Sequence, residues 1–321
     1  METQSFHDKE DSISFYEKRY AGGYMGHWSL FEKKRLFNLI RELNLPSSGK
    51  ALDFGCGRGI FTQVIKEALP GWEIFACDIS KQAIEWAKQN QTGIEFFIAG
   101  DEVYKGEKFD FIHSHHVLEH TYDAKVTTHE ICAYAADRCT MLHSVPCRHK
   151  GSLEYKISTL VKDGIDPQTG KFFFEDFAHQ IRPNVEETIS FFRPFGFKIQ
   201  SDYYAAQHYG ALKWIAESGL GFVLKISPVF KAVSFDAALK LFRYRLQFLF
   251  YWFCFFCATA FTSADRGKYF YLKKSFQIIG FIFFFWLAIP VRTHLLKKSE
   301  SEWNEKRMEK NGSELFLVIS R

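Results

Sequence analysis

Hydrophobic positions along the chain change period several times, and each change marks an element. From Leu30 to Leu43 the apolar residues Leu30, Phe31, Leu36, Phe37, Leu39, Ile40 and Leu43 recur at helical spacing behind Ser29, a suitable N-cap. Pro46-Ser47-Ser48-Gly49 ends that helix, and Lys50–Phe54 reads as a short buried strand running into glycines. A helix follows over about Ile60–Leu69, stopped by Pro70-Gly71. Glu73–Cys77 is a second strand ending at Asp78, and Ser80 caps a helix over Lys81–Asn90. Ile94–Ile98 and Phe109–Ser114 are the third and fourth strands. A helix from about Ala124 to Ala136 precedes the fifth, Cys139–Val145, which Pro146 closes. Asn184 with Glu187 resembles a capping box for a helix ending before Gly196, and Phe197–Tyr204 is a sixth strand. Strands alternating with helices at this spacing predict an α/β fold, a doubly wound and mostly parallel sheet with helices on both faces.

Beyond the sixth strand the pattern changes. Leu246–Ala264 is 19 residues without a charge, and Ser275–Val291 is 17 more. Each approaches the roughly 20 apolar residues that span a bilayer as a helix. The connection Asp265–Lys274 is short and basic, and Arg243, Arg245, Arg292, Lys297 and Lys298 flank the runs. A helical hairpin crossing the membrane and an interfacial pair lying in one leaflet both satisfy this pattern. Glu314–Ser320 is a last strand, about a hundred residues after the sixth, an unusual distance unless the intervening segment has its own role.

Composition adds little to the first part and much to the second. The net charge of +4 is mild and spread along the chain, with no basic groove or aromatic stacking module, so nucleic acid is not an expected partner. Of the 36 phenylalanines, 13 crowd into residues 242–285, which points to a greasy segment grafted onto a soluble body. The seven cysteines show no paired spacing, and Cys254-x-x-Cys257 lies in an apolar run without other ligands nearby. The N-terminus is polar and acidic, without the apolar core of a signal peptide, so a reducing, cytosolic setting is the expectation.

The chemistry is densest between the first strand and its helix, in Asp53-Phe54-Gly55-Cys56-Gly57-Arg58-Gly59. Glycines there allow a tight turn and let a ligand lie against bare backbone. A dinucleotide fingerprint needs glycine where this chain has Ile60. Asp53 would also repel a pyrophosphate, whereas it suits a cationic ligand without phosphates.

Ala51–Gly59 resembles motif I of class I S-adenosylmethionine (SAM) dependent methyltransferases. Asp78, Asp101 and the stretch Phe109–His120, similar to the family's FD-…-VLEH motif, follow in the right order, and the resemblance covers roughly residues 13–205. It implies a Rossmann-like methyltransferase sheet with an antiparallel last strand, and a helical hydrophobic insertion between the last two strands. It also implies SAM as cofactor. Asp53, Gly55, Cys56, Gly57 and Gly59 would hold the methionine end, Asp78 with Ile79 the ribose, and Asp101 with Glu102 the adenine. His115 would lie beside them. Tyr20 and Tyr24 belong to an aromatic stretch, Tyr16 to Trp28, that related enzymes fold over the cofactor; simple packing on the domain surface is the alternative.

Methyl transfer to a hydroxyl needs positioning and a proton acceptor, for which histidine is suited. The candidates are His116, Glu119, His120 and His179, with His179 or His116 as general base. His116-x-x-Glu119-His120 would also put three potential ligands on one helical face. The stretch resembles the E-x-x-E-H metal sites of some O-methyltransferases, with His116 in place of the first acid. A divalent metal is compatible with that spacing but not favoured, because Glu119 and His120 serve equally in packing and capping, and no residue is assigned to metal.

The expected domains are 1–207, a SAM-dependent methyltransferase domain; 208–310, a helical membrane-associated insertion; and 311–321, the final strand. The expected function is O-methylation of a small-molecule, hydrophobic or lipid-linked acceptor by an enzyme attached to membrane lipid, with its catalytic domain cytoplasmic. The rival is a catalytically silent SAM-fold subunit anchoring a membrane biosynthetic complex.

Overall fold

The structure, a computed structural model, describes residues 6–22, 24, 28–261 and 270–321. Seven strands form one sheet: β1 (Lys50–Phe54), β2 (Glu73–Asp78), β3 (Glu95–Ile98), β4 (Phe109–His115), β5 (Ala135–Pro146), β6 (Lys198–Ala205) and β7 (Glu314–Ser320). Their order across the sheet is β3-β2-β1-β4-β5-β7-β6. β1 to β5 pair in parallel and the last strand is antiparallel. Sequence order reverses between β1 and β4, so the crevice at their carboxyl ends is where a ligand belongs in such a sheet.

The helices are α1 (Lys9–Ala21), α2 (Leu30–Glu42), α3 (Ile60–Ala68), α4 (Lys81–Asn90), α5 (Ala124–Ala133), α6 (Leu153–Ser158), α7 (Val185–Phe192), α8 (Tyr209–Glu217), α9 (Leu220–Ile226), α10 (Phe235–Ala258) and α11 (Phe270–Lys306). The chain divides into two compact units, Met1–Cys147 with Asp176–Asp202 and Leu315–Arg321, and Arg148–Glu175 with Tyr203–Glu314. The second unit thus takes in Arg148–Glu175, which the expected boundaries place in the first.

In the first unit, apolar alternation is suppressed because the central strands are covered on both faces. Ala51 and Leu52 of β1, Phe111 and Ile112 of β4, and Met141 and Leu142 of β5 are all buried. α2 begins with a full capping box: Ser29 Oγ accepts from the Glu32 N–H, and the Glu32 carboxylate accepts from the Ser29 N–H at 3.0 Å. Its Leu36, Leu39 and Ile40 are almost fully enclosed. α7 starts the same way at Asn184 and Glu187. The helix expected to run to Ala136 stops at Ala133, because Ala135 is already paired with Phe109 through an irregularity in the β4–β5 register.

The second unit is helical. Leu153 and Ile157 of α6, Leu212 and Ile215 of α8, Val223 and Ile226 of α9, Leu241, Phe248 and Phe255 of α10, and Leu295 of α11 form its core. Glu302 of α11 caps the start of α8, accepting from the N–H groups of His208, Tyr209 and Gly210 at 3.0, 3.1 and 2.9 Å. α10 and α11 approach closely where Gly280 faces Cys257: a Cβ added at Gly280 would lie 2.6 Å from its Sγ.

The two expected apolar runs are treated differently by the fold. Of the first, residues 246–258 lie in α10, which begins earlier, at Phe235, carries Arg243 and Arg245, and turns one face into the core. Among the described residues only α11 is long and apolar enough to cross a membrane. Residues 262–269, including most of the expected basic connection, lie outside the described residues.

Candidate active site

At the tip of β1 the chain must turn sharply into α3, and it does so with Gly55, Gly57 and Gly59 all in the left-handed region. Two of them also lack room for a side chain. A Cβ at Gly55 would lie 2.4 Å from Val117 Cγ2, and one at Gly57 would lie 2.6 Å from Tyr20 Oη. The N–H groups of Gly55 and Cys56 donate to Cys77 O at 2.8 and 2.9 Å, tying the loop to β2.

Two carboxylates flank this loop with different employment. Asp78, at the end of β2, is buried, and its oxygens accept from the N–H groups of Gly57 and Ser80 at 2.8 and 2.9 Å. Burial raises its pKa to about 6, with those two N–H groups opposing the rise. Each oxygen keeps a further lone pair for a ligand hydroxyl. Asp53 is also buried, but Thr62 Oγ1 donates to its Oδ2 at 2.5 Å and His113 Nδ1 lies 2.8 Å from Oδ1. Its geometry suits holding β1, α3 and β4 together behind the loop. Sequence reasoning overlooked Thr62 and His113; the register pairing Asp53 with His113 across β1 and β4 is a tertiary fact that no local pattern carries.

The glycine loop opens onto a cleft of about 1110 Å³, counted out to open solvent. Asp53, Gly55, Cys56, Gly57, Asp78, Ile79, His115, His116, His120, Tyr20 and Tyr24 all line it. Gly59 stands just behind, as the N-cap of α3. Asp101 and Glu102 do not share this wall. Asp101 is exposed and caps the short turn that follows it, accepting from the Val103 N–H at 3.1 Å, and Glu102 pairs with Lys105 at 2.5 Å.

α1 brings aromatic cover to this cleft. Tyr16 and Tyr20 are buried, Tyr24 packs on them, and Arg58 donates to Tyr20 O at 2.9 Å, strapping the helix to the glycine loop. Burial pushes the phenol pKa values of Tyr16, Tyr20 and Tyr24 up, so all three are neutral walls. Trp28 and Phe61 enclose His115, with ring centroids 5.1 and 4.3 Å away.

Beyond β4 the structure corrects one expectation. His116, Glu119 and His120 do not share a helical turn. His116 has φ of 53° and precedes a single 3-10 turn, Leu118–His120, so i, i+3 and i+4 are not stacked as on an α-helix. Glu119 is fully buried, with His116 Nδ1 2.8 Å and His120 Nε2 3.9 Å from its Oε1. His179, far away in sequence, comes alongside: its ring centroid is 4.5 Å from that of His120. Burial raises the Glu119 pKa, but His116, His120 and His179 together more than offset this and leave it below the usual value. Burial lowers His120 to about 4, against the pull of Glu119, so its imidazole is neutral near pH 7.

A doubly wound sheet, a left-handed glycine loop at its switch point and a buried acid ending β2 define a nucleoside-binding enzyme of the class I methyltransferase type. The chain belongs to the methyltransferase-domain family, which matches residues 28–198, just over half of its length.

A curated relative, the release factor glutamine methyltransferase of Streptococcus pneumoniae, is 30% identical over 85 residues, covering 25% of this chain. The match spans only 30% of that relative's own length. Among solved structures, the magnesium protoporphyrin IX methyltransferase of Synechocystis with bound SAH is similar at 20% identity and a TM-score of 0.42. The overlap covers 61% of this chain and 92% of that one. The plantazolicin methyltransferase, in complex with a pentazolic analogue and SAH, is similar at 11% identity and a TM-score of 0.45, covering 98% and 91%. At such identities the likeness is one of fold alone.

Proposed function

We propose that this enzyme O-methylates a hydrophobic or lipid-linked acceptor at a membrane surface. The observation that carries the reading is the bare apolar face of α11. Phe276, Ile279, Ile282, Phe283 and Trp286 are 51–67% exposed, and only 11% of the helix's most apolar 18-residue window is buried. An apolar surface of this extent, rimmed by Lys273, Lys274 and Arg292, suits the interface of a bilayer. Attachment there raises the effective concentration of any acceptor that shares the membrane.

Within the cleft, Gly55, Cys56 and Gly57 present backbone to the methionine end of SAM, Asp78 takes the ribose hydroxyls, and Tyr20 and Tyr24 close over the cofactor. Asp53 acts behind the loop as a positioning residue. His116 lines the cleft with Glu119 at 2.8 Å, so the carboxylate stabilises the imidazolium formed when His116 removes the acceptor proton. SAM held there would supply the methyl group to the acceptor oxygen, its sulfur keeping the electron pair of the broken carbon–sulfur bond while the acceptor's proton rests on His116.

The test is to incubate the full-length enzyme with methyl-labelled SAM and, separately, a membrane lipid extract and a soluble extract. The reading expects label in alkali-stable ethers of the lipid fraction; label confined to water-soluble products rejects it.

A further inference from the structure

We propose that α10 lies in the plane of an anionic lipid leaflet, on an outer stripe formed by Phe235, Leu239, Phe242, Leu246 and Phe250. These residues are not those of the bare α11 face. They give the membrane attachment, on which the proposal rests, an orientation and a lipid class.

The spacing along α10 supplies the first reason. Ala237, Leu241, Phe248 and Phe255 share one side of the helix, and all four are buried. Leu241, Phe248 and Phe255 belong to the core of the second unit. Phe235, Leu239, Phe242, Leu246 and Phe250 fall on the opposite side and are 43–80% exposed. One apolar face is enough to pack a helix on its own domain. A second, diametrically across from it, gains nothing in water.

The reach of the stripe supplies the second. It runs for about 22 Å at the rise of a helix. It also begins 11 residues before the uncharged run that opens at Leu246. Asp236, Lys240 and Arg243 are exposed on the flank between the two faces. A helix standing upright in a bilayer would leave this charged half in water, and its outer apolar positions with it. Lying flat, it sinks the whole stripe to the level of the headgroups and keeps the flank wet. The chain leading into α10 agrees. Phe230 is 98% exposed on the turn Val229–Lys231. That turn is pinned by backbone: the Lys162 N–H donates to Lys231 O at 2.8 Å and the Val233 N–H to Leu160 O at 3.0 Å.

Charge names the leaflet. Lys240 is paired with Asp236 at 2.7 Å, and Arg245 is engaged at the end of α9, donating to Ser227 Oγ at 3.3 Å. Lys225, Lys231 and Arg243 are exposed and make no side-chain ion pair or hydrogen bond among the described residues. Uncommitted cations beside an apolar stripe match a surface of phosphate groups better than an apolar protein partner.

The experiment uses full-length protein with a nitroxide on Leu239→Cys, Leu246→Cys or Phe250→Cys. The native cysteines are buried apart from half-buried Cys56, and label taken up by the parent is subtracted. Depth in phosphatidylglycerol vesicles is read from relaxation by oxygen against a water-soluble nickel chelate. The expected result is one depth at all three sites, within about 5 Å, a single helical turn. A depth that increases by about 16 Å from position 239 to 250 means an upright helix and overturns the proposal. Nitroxides that stay in water overturn it too, including the case in which the protein runs as a dimer through this face. Leu239→Ser with Phe242→Ser should weaken partition onto these vesicles by about tenfold or more, with its thermal midpoint retained. Undiminished partition overturns the assignment. The parent should bind phosphatidylglycerol about tenfold more tightly than phosphatidylcholine, and equal binding rejects the anionic leaflet. None of these failures touches lipid-directed methylation, which is read from the labelled product; label confined to water-soluble products would in turn leave the measured depths unchanged.

Discussion

Gly57 shows how one missing Cβ can decide a site. Its φ is +54°, and the place where a side chain would begin is 2.6 Å from Tyr20 Oη. Gly57→Ala must therefore strain the backbone and displace the aromatic cover together, at a cost of about 1–3 kcal/mol. The expected outcome is SAM affinity weakened by about tenfold or more in a calorimetric titration, with the fold retained in circular dichroism. Asp78 makes a second prediction with a sign. With its pKa near 6, the carboxylate proposed to accept from a ribose is progressively protonated below that pH. Affinity for SAM should be level above pH 7 and decline as pH falls through 6, and Asp78→Asn should be weaker and lack that decline. His143 acts on stability instead. It is fully buried, paired with Ser114 Oγ at 2.7 Å, and burial lowers its pKa to about 3. The unfolded chain protonates this imidazole near pH 6.5, so its contribution is present above that value and is lost as pH falls towards 3. Thermal melts should show the midpoint dropping over that window, and His143→Gln should show a shallower drop.

Among the elements, the α10–α11 pair depends on a small residue. Gly280→Val would put a branched side chain where Cys257 Sγ already sits, and overpacking of this kind costs about 1–3 kcal/mol. A lowered unfolding midpoint in mild detergent, restored in part by adding Cys257→Ala, is the expected pair of results. Elements that carry their own caps were legible in the sequence: Ser29 and Glu32 open α2, Asn184 and Glu187 open α7, and the strands lie within a few residues of their expected limits. The glycine loop was legible because a tight turn before a helix has its own composition. The short helices α6 and α9, of 6 and 7 residues, were not, since neither repeats an apolar face long enough to show a period. The turn at His116 was misread for a related reason. VLEH looks helical in isolation, whereas in the fold His116 is left-handed and its N–H donates to Ser144 O of β5. Asp53 shows the other limit. Its chemistry was visible, but its partners Thr62 and His113 meet it only after the sheet forms.

At the scale of the whole molecule, the question is what a methyltransferase gains from a unit whose surface is so apolar. Phe283 and Trp286 are 67% and 63% exposed on α11, and a monomer in water obtains nothing from them. Moving one such side chain out of water is worth about 1.5–3 kcal/mol. Losing two should therefore weaken partition onto vesicles by about a hundredfold or more. The variant Phe283→Glu with Trp286→Glu should accordingly leave the pellet and remain in the supernatant when sedimented with phosphatidylglycerol vesicles. Its SAM affinity, set in the other unit, should stay that of the parent. Methylation of a membrane-borne acceptor should fall with the partition, while SAM turnover on the same acceptor dispersed in detergent should be spared. Undiminished sedimentation would mean that α11 does not meet the bilayer, and the exposed face would then need a protein partner to cover it.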